Sequence, residues 1–346
     1  MTIMMAKPAE PLLAVHELKV LYRARYRDIP AVRGVSFGIA QGETVALVGE
    51  SGSGKSSVGL AVMGLLDAAD GVEIAGSVML ARKNGTAVET VGAAERVLRS
   101  IRGQEVAMIF QEPMSSLNPV YTIGDQIAES LALHDIVPRR EIRQESVGLM
   151  REMGIPDPEG CLDRYPHQLS GGMRQRIMIA MALSGRPKLL IADEPTTALD
   201  VTIQAQIMAL LRRVQEKTGM GILFVTHNLG LVAQIADHCI VMYAGQIVES
   251  LPVDRMFEAA RMPYTRALVR SIPRLGNTKA TRGRLEAIPG TAPLPVDLPP
   301  GCAFHPRCSL NEPGRCDVRS VPLEELAPDH AVRCLRSSDT AAEIRA

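Results

Sequence analysis

The sequence predicts an α/β fold organised around a mainly parallel sheet, and three observations support this prediction. A glycine-rich loop at residues 49–56 follows one apolar stretch and precedes a helical pattern. The apolar run at residues 189–192 is typical of a strand that is buried on both faces of a sheet. Residues 118–168 carry apolar side chains at helical spacing, which indicates a small all-helical insert. Strands that alternate with helices in this way favour a parallel sheet.

The elements can be assigned in chain order. Residues 12–48 alternate apolar stretches with polar breaks, as expected for short strands that end at the glycine-rich loop. A helix is predicted from Ser56 onward, and a buried strand at residues 107–110 ends before Pro113, which disfavours its continuation. After the helical insert, a helix begins near Gly171. Two further strands are predicted at residues 221–225 and 240–242.

Composition limits the classes of function. Lys plus Arg and Asp plus Glu both total 38, so there is no excess of positive charge for a nucleic-acid partner. The first twenty residues include Lys7, Glu10 and Lys19 and lack the pattern of a signal peptide. No apolar run reaches the roughly 18 residues that a membrane-spanning helix needs. We therefore expect a cytoplasmic protein whose membrane attachment is made through partners.

The glycine-rich loop has the residue types that bind phosphate. Its glycines allow backbone N–H groups to wrap around phosphate oxygens, and the following helix directs its positive dipole end at them. Lys55 can reach the outer phosphates, and Ser56 offers a hydroxyl to Mg²⁺. The predicted nucleotide-binding residues of the loop are Gly49, Glu50, Ser51, Gly52, Ser53, Gly54, Lys55, Ser56 and Ser57.

Two adjacent carboxylates, Asp193 and Glu194, follow the buried strand predicted at residues 189–192. Adjacent side chains at the end of a strand point in different directions, so these two can have different roles. Asp193 is predicted to hold Mg²⁺, and Glu194 is predicted to polarise the water that attacks the γ-phosphate of ATP.

A second anion site is predicted at residues 169–176, where the sequence Leu-Ser-Gly-Gly-Met-Arg-Gln-Arg opens a helix. The backbone N–H groups at a helix N-terminus bind anions. One chain cannot easily use this site and the glycine-rich loop on the same nucleotide. The candidate nucleotide contacts in this segment are Ser170, Gly171, Gly172 and Gln175.

Along the chain the glycine-rich loop comes first, residues 169–176 second and the Asp193–Glu194 pair last. Three motifs in this order resemble those of the ATP-binding cassette (ABC) superfamily. The resemblance implies a P-loop NTPase of the ABC ATPase type, with a RecA-like core and a helical subdomain at about residues 112–170. It implies ATP and Mg²⁺ as ligands. It also implies a head-to-tail dimer, in which the signature segment that contains Ser170 closes over ATP held by the phosphate loop of the other subunit.

The same resemblance implies further site residues. Gln111 is similar to the Q-loop glutamine, which contacts Mg²⁺ and the attacking water, and His227 is similar to the switch histidine. Asn228 stands where many relatives have aspartate, which leaves its local hydrogen bonding open. Asp200 is similar to the D-loop aspartate, which communicates across the dimer.

An aromatic residue near the end of the first predicted strand is a candidate for stacking on adenine. We select Tyr22 for this role, four residues past Leu18, with Tyr26 as the competing candidate. Either ring could instead serve only in packing, because aromatic stacking tolerates several geometries.

Residues 111–119, 262–268 and 301–308 narrow the resemblance to the ATP-binding subunits of oligopeptide, dipeptide and nickel importers. The resemblance covers nearly the whole chain. It implies a peripheral subunit on the cytoplasmic face of the inner membrane that couples ATP hydrolysis to peptide uptake; nickel, glutathione or another small solute is the alternative cargo. The implied partners are a second ATP-binding subunit, identical or paralogous, two permease subunits and an extracytoplasmic solute-binding protein.

A C-terminal extension at residues 271–346 is predicted to follow a nucleotide-binding domain at residues 1–270. This small irregular extension contains four of the six cysteines, Cys302, Cys308, Cys316 and Cys334. Their spacing differs from the close pairs of zinc fingers, and four thiolates suit an iron–sulfur cluster. The family resemblance implies a [4Fe-4S] cluster here, with zinc or unligated thiols as the alternatives.

Two other classes of protein share some of these features. ABC ATPases that act on DNA or ribosomes have the same nucleotide motifs, but they usually add long coiled coils, a second cassette or basic arms. A non-hydrolysing interaction module would not need Lys55, Asp193, Glu194 and His227 together.

Overall fold

The computed structural model of the chain describes residues 11–111, 116–197, 199–272 and 288–340. Parts of several segments named above therefore lie outside the described residues. They are residues 1–10 at the N-terminus, residues 112–115 at the predicted start of the helical subdomain, and residues 273–287 and 341–346 of the predicted extension. Ala198, two residues before Asp200, is also outside them.

The strands agree with the predicted ones to within a few residues, and several more are present. In chain order they are β1 (Leu13–Tyr22), β2 (Ile29–Ile39), β3 (Thr44–Val48), β4 (Val72–Ala81), β5 (Ala87–Glu89), β6 (Val106–Ile109), β7 (Leu189–Asp193), β8 (Gly221–Thr226), β9 (His238–Tyr243), β10 (Gln246–Pro252), β11 (Glu324–Ala327) and β12 (His330–Val332).

The helices include the predicted helical insert between β6 and β7. In chain order they are α1 (Lys55–Val62), α2 (Glu95–Ile101), α3 (Ile123–Leu133), α4 (Ile142–Glu152), α5 (Pro158–Leu162), α6 (Gly171–Ser184), α7 (Val201–Thr218), α8 (Leu229–Ile235), α9 (Val253–Ala259) and α10 (Pro263–Arg270). Short 3₁₀ helices lie at Ala68–Asp70, Arg139–Glu141, Pro166–Gln168 and His305–Arg307. None of the helices in the described ranges combines the length and apolar character that crossing a bilayer requires.

The strands form two sheets. The larger has the order β11-β12-β10-β9-β3-β8-β7-β6, in which the strands from β9 to β6 run parallel and those from β11 to β9 pair antiparallel. The smaller, β2-β1-β4-β5, is antiparallel throughout. The predicted α/β class is confirmed, and the separate antiparallel sheet was not predicted.

Alternation along the central strands places their side chains in different layers. Leu189 and Ile191 of β7 pack into a core that is shared with α1 and the antiparallel sheet. Leu190 and Ala192 face the other way, into a core formed with the helical insert, α6 and α7. The helix after the phosphate loop and the helix after the signature segment therefore lie on opposite faces of the parallel sheet.

The C-terminal extension is joined to the larger sheet by backbone hydrogen bonds. β12 pairs with β10, where Val332 lies opposite Glu249. The fully buried Glu249 carboxylate accepts hydrogen bonds from the backbone N–H groups of Arg261 and Met262, and His330 Nε2 lies 2.9 Å from it. A buried charge is tolerated only when it is paired in this way, so these contacts connect the extension to the core.

The pH dependence of stability should reflect a buried histidine at the start of β9. His238 lies with Nε2 at 2.8 Å from the Ser250 hydroxyl, and burial lowers its pKa to about 4, with Asp329 opposing and His330 reinforcing this shift. Between the unfolded pKa of 6.5 and about 4, the unfolded chain takes up a proton that the folded chain does not. The free energy of unfolding should therefore be highest above pH 6.5 and should fall by roughly 3 kcal/mol as the pH drops from 6.5 to about 4.

Urea unfolding at about pH 7.5 and pH 5, followed by circular dichroism, tests this expectation. His238→Gln should reduce the loss of stability at the lower pH, because glutamine does not titrate. The exposed His16→Gln serves as the control and should behave as the wild type. An equal loss in wild type and His238→Gln would contradict the assignment.

Candidate functional site

The phosphate loop connects β3 to α1 and contains two glycines, Gly49 and Gly54, that another residue could replace only if the neighbouring backbone moved. Gly54 has φ +99°, and a Cβ there would lie 2.2 Å from the Ala31 carbonyl oxygen. A Cβ at Gly49 would lie 2.2 Å from the Met242 carbonyl oxygen. Within the described residues no side chain caps the N-terminus of α1, whose first turn is free of acidic residues. Its backbone N–H groups therefore suit an anion.

Lys55 is folded back into this loop. Its ammonium donates hydrogen bonds to the carbonyl oxygens of Gly49 and Glu50, at 2.8 and 2.9 Å. Burial lowers the Lys55 pKa, and the carboxylates of Glu194 and Asp193 partly oppose this shift. The ammonium is held mainly by neutral carbonyls, and phosphate oxygens would offer it charged acceptors instead.

Asp193 ends β7 with a carboxylate that is only partly satisfied. It accepts a hydrogen bond from the Ser56 hydroxyl, and its Oδ1 is buried with no hydrogen-bond partner among the described residues. Burial raises the Asp193 pKa, and the neighbouring Glu194 adds to the shift. A carboxylate and a hydroxyl are ligands that Mg²⁺ accepts, so the predicted pair Asp193 and Ser56 fits a bound Mg²⁺.

Glu194 leaves the strand in an unusual conformation. Its φ is +46°, in the left-handed region that non-glycine residues rarely occupy, and its backbone N–H donates to the Val225 carbonyl of β8 at 2.8 Å. This turn separates the direction of its side chain from that of Asp193. Such strain persists only where the surrounding structure holds it, and it concentrates at functional sites.

Three polar side chains converge on the Glu194 carboxylate. Gln111 Nε2 donates from 3.2 Å, the Thr197 hydroxyl donates from 2.9 Å, and His227 Nδ1 lies 2.9 Å away. Burial alone would raise the Glu194 pKa, but the hydrogen bonds from His227 and Thr197 outweigh it and lower the pKa. The carboxylate is therefore ionised at neutral pH and can accept a proton or orient water.

Thr197 was not among the predicted site residues. It lies three residues after Glu194 in the turn that leads to Asp200, and its backbone N–H donates to the Glu194 carbonyl. Threonine and serine commonly make such local hydrogen bonds in turns. The position of a threonine three residues after Glu194 was therefore the signal by which the sequence could have predicted this contact.

The signature segment opens α6 as predicted. The exposed Ser170 is the N-cap, and its hydroxyl accepts the Met173 backbone N–H at 3.4 Å. Gly171 is exposed beside it. Gln175, which was proposed as a nucleotide contact, is buried, and its amide donates to the Pro195 carbonyl at 2.5 Å. Gln175 thus connects the signature helix to the turn after Glu194, whereas Ser170 and Gly171 face solvent.

The other predicted residues divide between loop ends and helix caps. Tyr22 is partly buried at the end of β1, with its hydroxyl 3.0 Å from the Ser57 hydroxyl, next to the phosphate loop. Tyr26 is 88% exposed. Asp200 caps α7 by accepting a hydrogen bond from the Ile203 N–H, and Asn228 caps α8, which answers the question of its hydrogen bonding.

The four tail cysteines are free thiols that line one common cavity. Burial raises the pKa of Cys302 and Cys308, and it raises that of Cys334 to about 12. The four predicted donors therefore line the same cavity. Even so, the described residues contain no group of three or more His, Cys, Asp or Glu side chains arranged to hold a metal ion.

Comparison with known proteins agrees with this geometry. The ABC transporter family model matches residues 32–197, and the model of the oligopeptide/dipeptide transporter C-terminal region matches residues 248–316. The chain is 52% identical over 336 residues to a Brucella melitensis protein that is provisionally named a peptide import ATP-binding protein, covering 96% of this chain and 99% of that one. It is 48% identical to the oligopeptide transport ATP-binding protein AppD of Bacillus subtilis, covering 96% and 98%.

A solved structure shares the fold of the nucleotide-binding part. The dimeric ATP-binding cassette MJ0796, in a post-hydrolysis state bound to ADP and Pi, superimposes with a TM-score of 0.60 at 25% sequence identity. The match covers 70% of this chain and 98% of that one.

Glu194→Gln tests the role of the ionised carboxylate. Glutamine has the same shape but cannot accept a proton, so steady-state ATP turnover should fall by about 100-fold or more. ATP should stay bound and a stable dimer should accumulate, which light scattering with Mg²⁺ and ATP would detect. The matched control is Glu216→Gln at an exposed position on α7, which should retain wild-type turnover. Unchanged phosphate release by Glu194→Gln would remove this residue from the role of base.

Proposed function

The chain belongs to the ABC transporter family, and from this premise we propose that it is the ATP-hydrolysing subunit of an importer that takes up peptides through separate permease subunits. The convergence of Gln111, Thr197 and His227 on an ionised Glu194, beside Lys55, carries the catalytic part of this proposal. The peptide cargo rests on the names of the relatives and on the matched C-terminal region.

ATP is bound and hydrolysed between the phosphate loop and the end of β7. Lys55 and the N–H groups at the start of α1 hold the phosphates, and Asp193 and Ser56 hold Mg²⁺, which supplies charge neutralisation at the phosphates. Glu194 orients and polarises the attacking water. His227 and Thr197 keep the Glu194 carboxylate ionised, and the hydrogen bond from Gln111 helps to direct it. His227 and Gln111 can therefore transmit the state of the γ-phosphate to the elements that carry them.

The adenine base stacks on Tyr22. The contact between the Tyr22 and Ser57 hydroxyls holds the ring next to the phosphate loop, which supports this choice over the exposed Tyr26. A partly buried ring retains a face for a base with little loss of side-chain entropy on binding.

A second ATP-binding subunit, identical or paralogous, completes the site. Because α1 and α6 pack on opposite faces of the sheet, the exposed Ser170 and Gly171 are available to a nucleotide held by another subunit. Asp200, the residue similar to the D-loop aspartate, follows Leu199, whose side chain would lie 4.0 Å from a Cβ at Gly171. ATP contacts both subunits and favours the closed dimer, and loss of the γ-phosphate removes that preference.

The permease contact is on the helical insert, within a helical subdomain at about residues 112–170 of a nucleotide-binding domain at residues 1–270. Val120 and Tyr121 are 72% and 55% exposed there, shortly after Gln111. Exposed large apolar side chains that follow a catalytic glutamine in the sequence suit a partner whose movement must reach the active site. In this proposal two permeases and an extracytoplasmic solute-binding protein complete the importer, and the chain lies peripherally on the cytoplasmic face of the inner membrane.

The extension at residues 271–346 carries a [4Fe-4S] cluster on Cys302, Cys308, Cys316 and Cys334. This assignment rests on the family resemblance and on the one cavity that the four free thiols line, since thiolates are the ligands of such clusters. Among the described residues the thiols are not already arranged as a metal site. When bound, the cluster cross-links separate segments of a loop-rich extension that has a small core of its own.

Copurification tests the importer function. A tag on this chain should recover permease subunits from membranes, and ATP turnover of the complex in nanodiscs should rise when a binding protein loaded with peptide is added. Lys55→Ala controls for contaminating ATPases and should abolish turnover. If only nickel or glutathione stimulated ATP turnover, that solute and not a peptide would be the cargo. An ATPase recovered without membrane partners, or stimulated by nucleic acid, would refute the importer.

Iron and sulfide analysis of anaerobically purified chain tests the cluster. We expect about four iron and four acid-labile sulfide per chain, lost in Cys316→Ser. Cys161→Ala, in α5 of the helical insert, is the control and should retain the iron. Stoichiometric zinc, or colourless protein with four titratable thiols in the tail, would overturn the cluster.

A further inference from the structure

Glu50 in the phosphate loop is held at both its backbone and its side chain by residues from much later in the chain. Its backbone N–H donates to the Tyr264 hydroxyl over 2.8 Å. Its carboxylate accepts two hydrogen bonds from Arg307, at 2.7 and 3.0 Å. Neither contact takes part in the chemistry described above, and Arg307 lies 257 residues from Glu50 in the sequence.

The Arg307 guanidinium is enclosed by fixed acceptors. Its side chain is only 6% exposed, and Nε donates to the Pro289 carbonyl at 2.8 Å. A second donor lies 3.2 Å from the Tyr243 hydroxyl. A two-pronged guanidinium–carboxylate pair has a fixed geometry that lysine cannot reproduce. Away from water, loss of one partner leaves the other charge without compensation.

The pair is connected to the phosphate-binding lysine. The Glu50 carbonyl accepts one of the hydrogen bonds from Lys55, at 2.9 Å. The residue that Arg307 fixes is therefore also a residue that sets where the Lys55 ammonium lies. A chain of direct contacts runs from Arg307 through Glu50 to Lys55.

The position of Arg307 is determined by the C-terminal extension. It lies in the 3₁₀ helix His305–Arg307, directly after Phe304. The Phe304 ring packs against Tyr243 and Tyr264, with its centroid 5.3 Å from each of theirs. This aromatic cluster anchors the extension on the larger sheet and aims the guanidinium at the phosphate loop.

Resting on the ATPase function proposed above, we propose that Arg307 is a positioning residue for ATP binding, and that through Glu50 the C-terminal extension sets the affinity of the phosphate loop for ATP. The two-pronged pair and the Tyr264 contact hold the Glu50 peptide, and with it the donors and acceptors of the loop, in one conformation. Without the pair the phosphate loop samples other conformations, and the fraction of molecules whose loop can bind phosphate falls.

Steady-state kinetics separates positioning from general destabilisation. In full-length protein, purified with any subunits that accompany it, Arg307→Gln should raise KM for ATP by about 10-fold while kcat changes by less than about 2-fold. Arg307→Lys keeps the positive charge but cannot donate two parallel hydrogen bonds to the Glu50 carboxylate, so its KM should lie between those of wild type and Arg307→Gln. A simple loss of folded protein would lower kcat and leave KM unchanged.

Asp297→Asn is the matched control. Asp297 pairs with Arg27 at 2.5 Å, so it also connects the extension to the core, but both side chains are exposed, and among the described residues neither forms a hydrogen bond or ion pair with Glu50 or Lys55. Its KM and kcat should equal those of the wild type.

A double-mutant cycle tests whether Arg307 acts through Glu50. Glu50→Gln alone should raise KM by about 10-fold, and the double variant Glu50→Gln, Arg307→Gln should show about the same increase, because both remove one interaction. If the KM increase of the double variant equalled the product of the two single increases, Arg307 would act independently of Glu50. If Arg307→Gln does not fold, Arg307→Lys and Glu50→Gln decide the question by the same KM criterion. Wild-type KM in both would overturn the proposal, whereas a wild-type chain without ATP turnover would refute the proposed function itself.

Discussion

The left-handed backbone at Glu194 is the constraint on which the rest of the site depends. A non-glycine residue in that region costs about 1–3 kcal/mol, which the surrounding structure must offset. The hydrogen bond to the Val225 carbonyl and the three contacts to the carboxylate do so. Because Gln111 comes from the junction with the helical insert and His227 from the end of β8, a shift of either element changes the surroundings of the carboxylate.

The parallel sheet also separates the two anion sites of the chain. The phosphate loop opens α1 on one face, and the signature segment opens α6 on the other. In the proposed function, a single chain therefore presents two half-sites, and ATP joins them across an interface between two subunits. The free energy of ATP binding then favours one arrangement of two proteins, which is the condition for coupling hydrolysis to mechanical work.

Local motifs were enough to predict the parallel core and the order of the site elements along the chain. The phosphate loop, β7 with its two carboxylates, and the helix after Gly171 are each specified by a short stretch of residues. β4 was missed because Gly76 interrupts it. Only glycine fits at this position, because the backbone has φ +100° and a Cβ would lie 2.4 Å from the Glu17 carbonyl oxygen. In the sequence, however, a glycine indicates the end of a strand and not its middle. β10 was missed because it carries a charged residue, Glu249, whose buried partners come from other segments.

Long-range pairings lay beyond the reach of the motifs. The convergence of Gln111 and His227 on Glu194 could be predicted only through the family resemblance, and Thr197 was overlooked although it is three residues away. The contact of Arg307 with Glu50 had no local signal, since it depends on where the aromatic cluster around Phe304 places the extension. Burial and pairing of polar groups across the fold decide such contacts, and a single sequence does not encode them as a pattern.

A structure of the complex bound to Mg²⁺ and a non-hydrolysable ATP analogue tests the central claim most directly. Lys55 should have left the carbonyls of Gly49 and Glu50 for the outer phosphates, with Asp193 at the metal. Ser170 should contact the nucleotide held by the other ATP-binding subunit, and Glu194 should lie next to the position of the attacking water. A nucleotide enclosed by one chain alone, with Ser170 still facing solvent and Lys55 unmoved, would contradict the account.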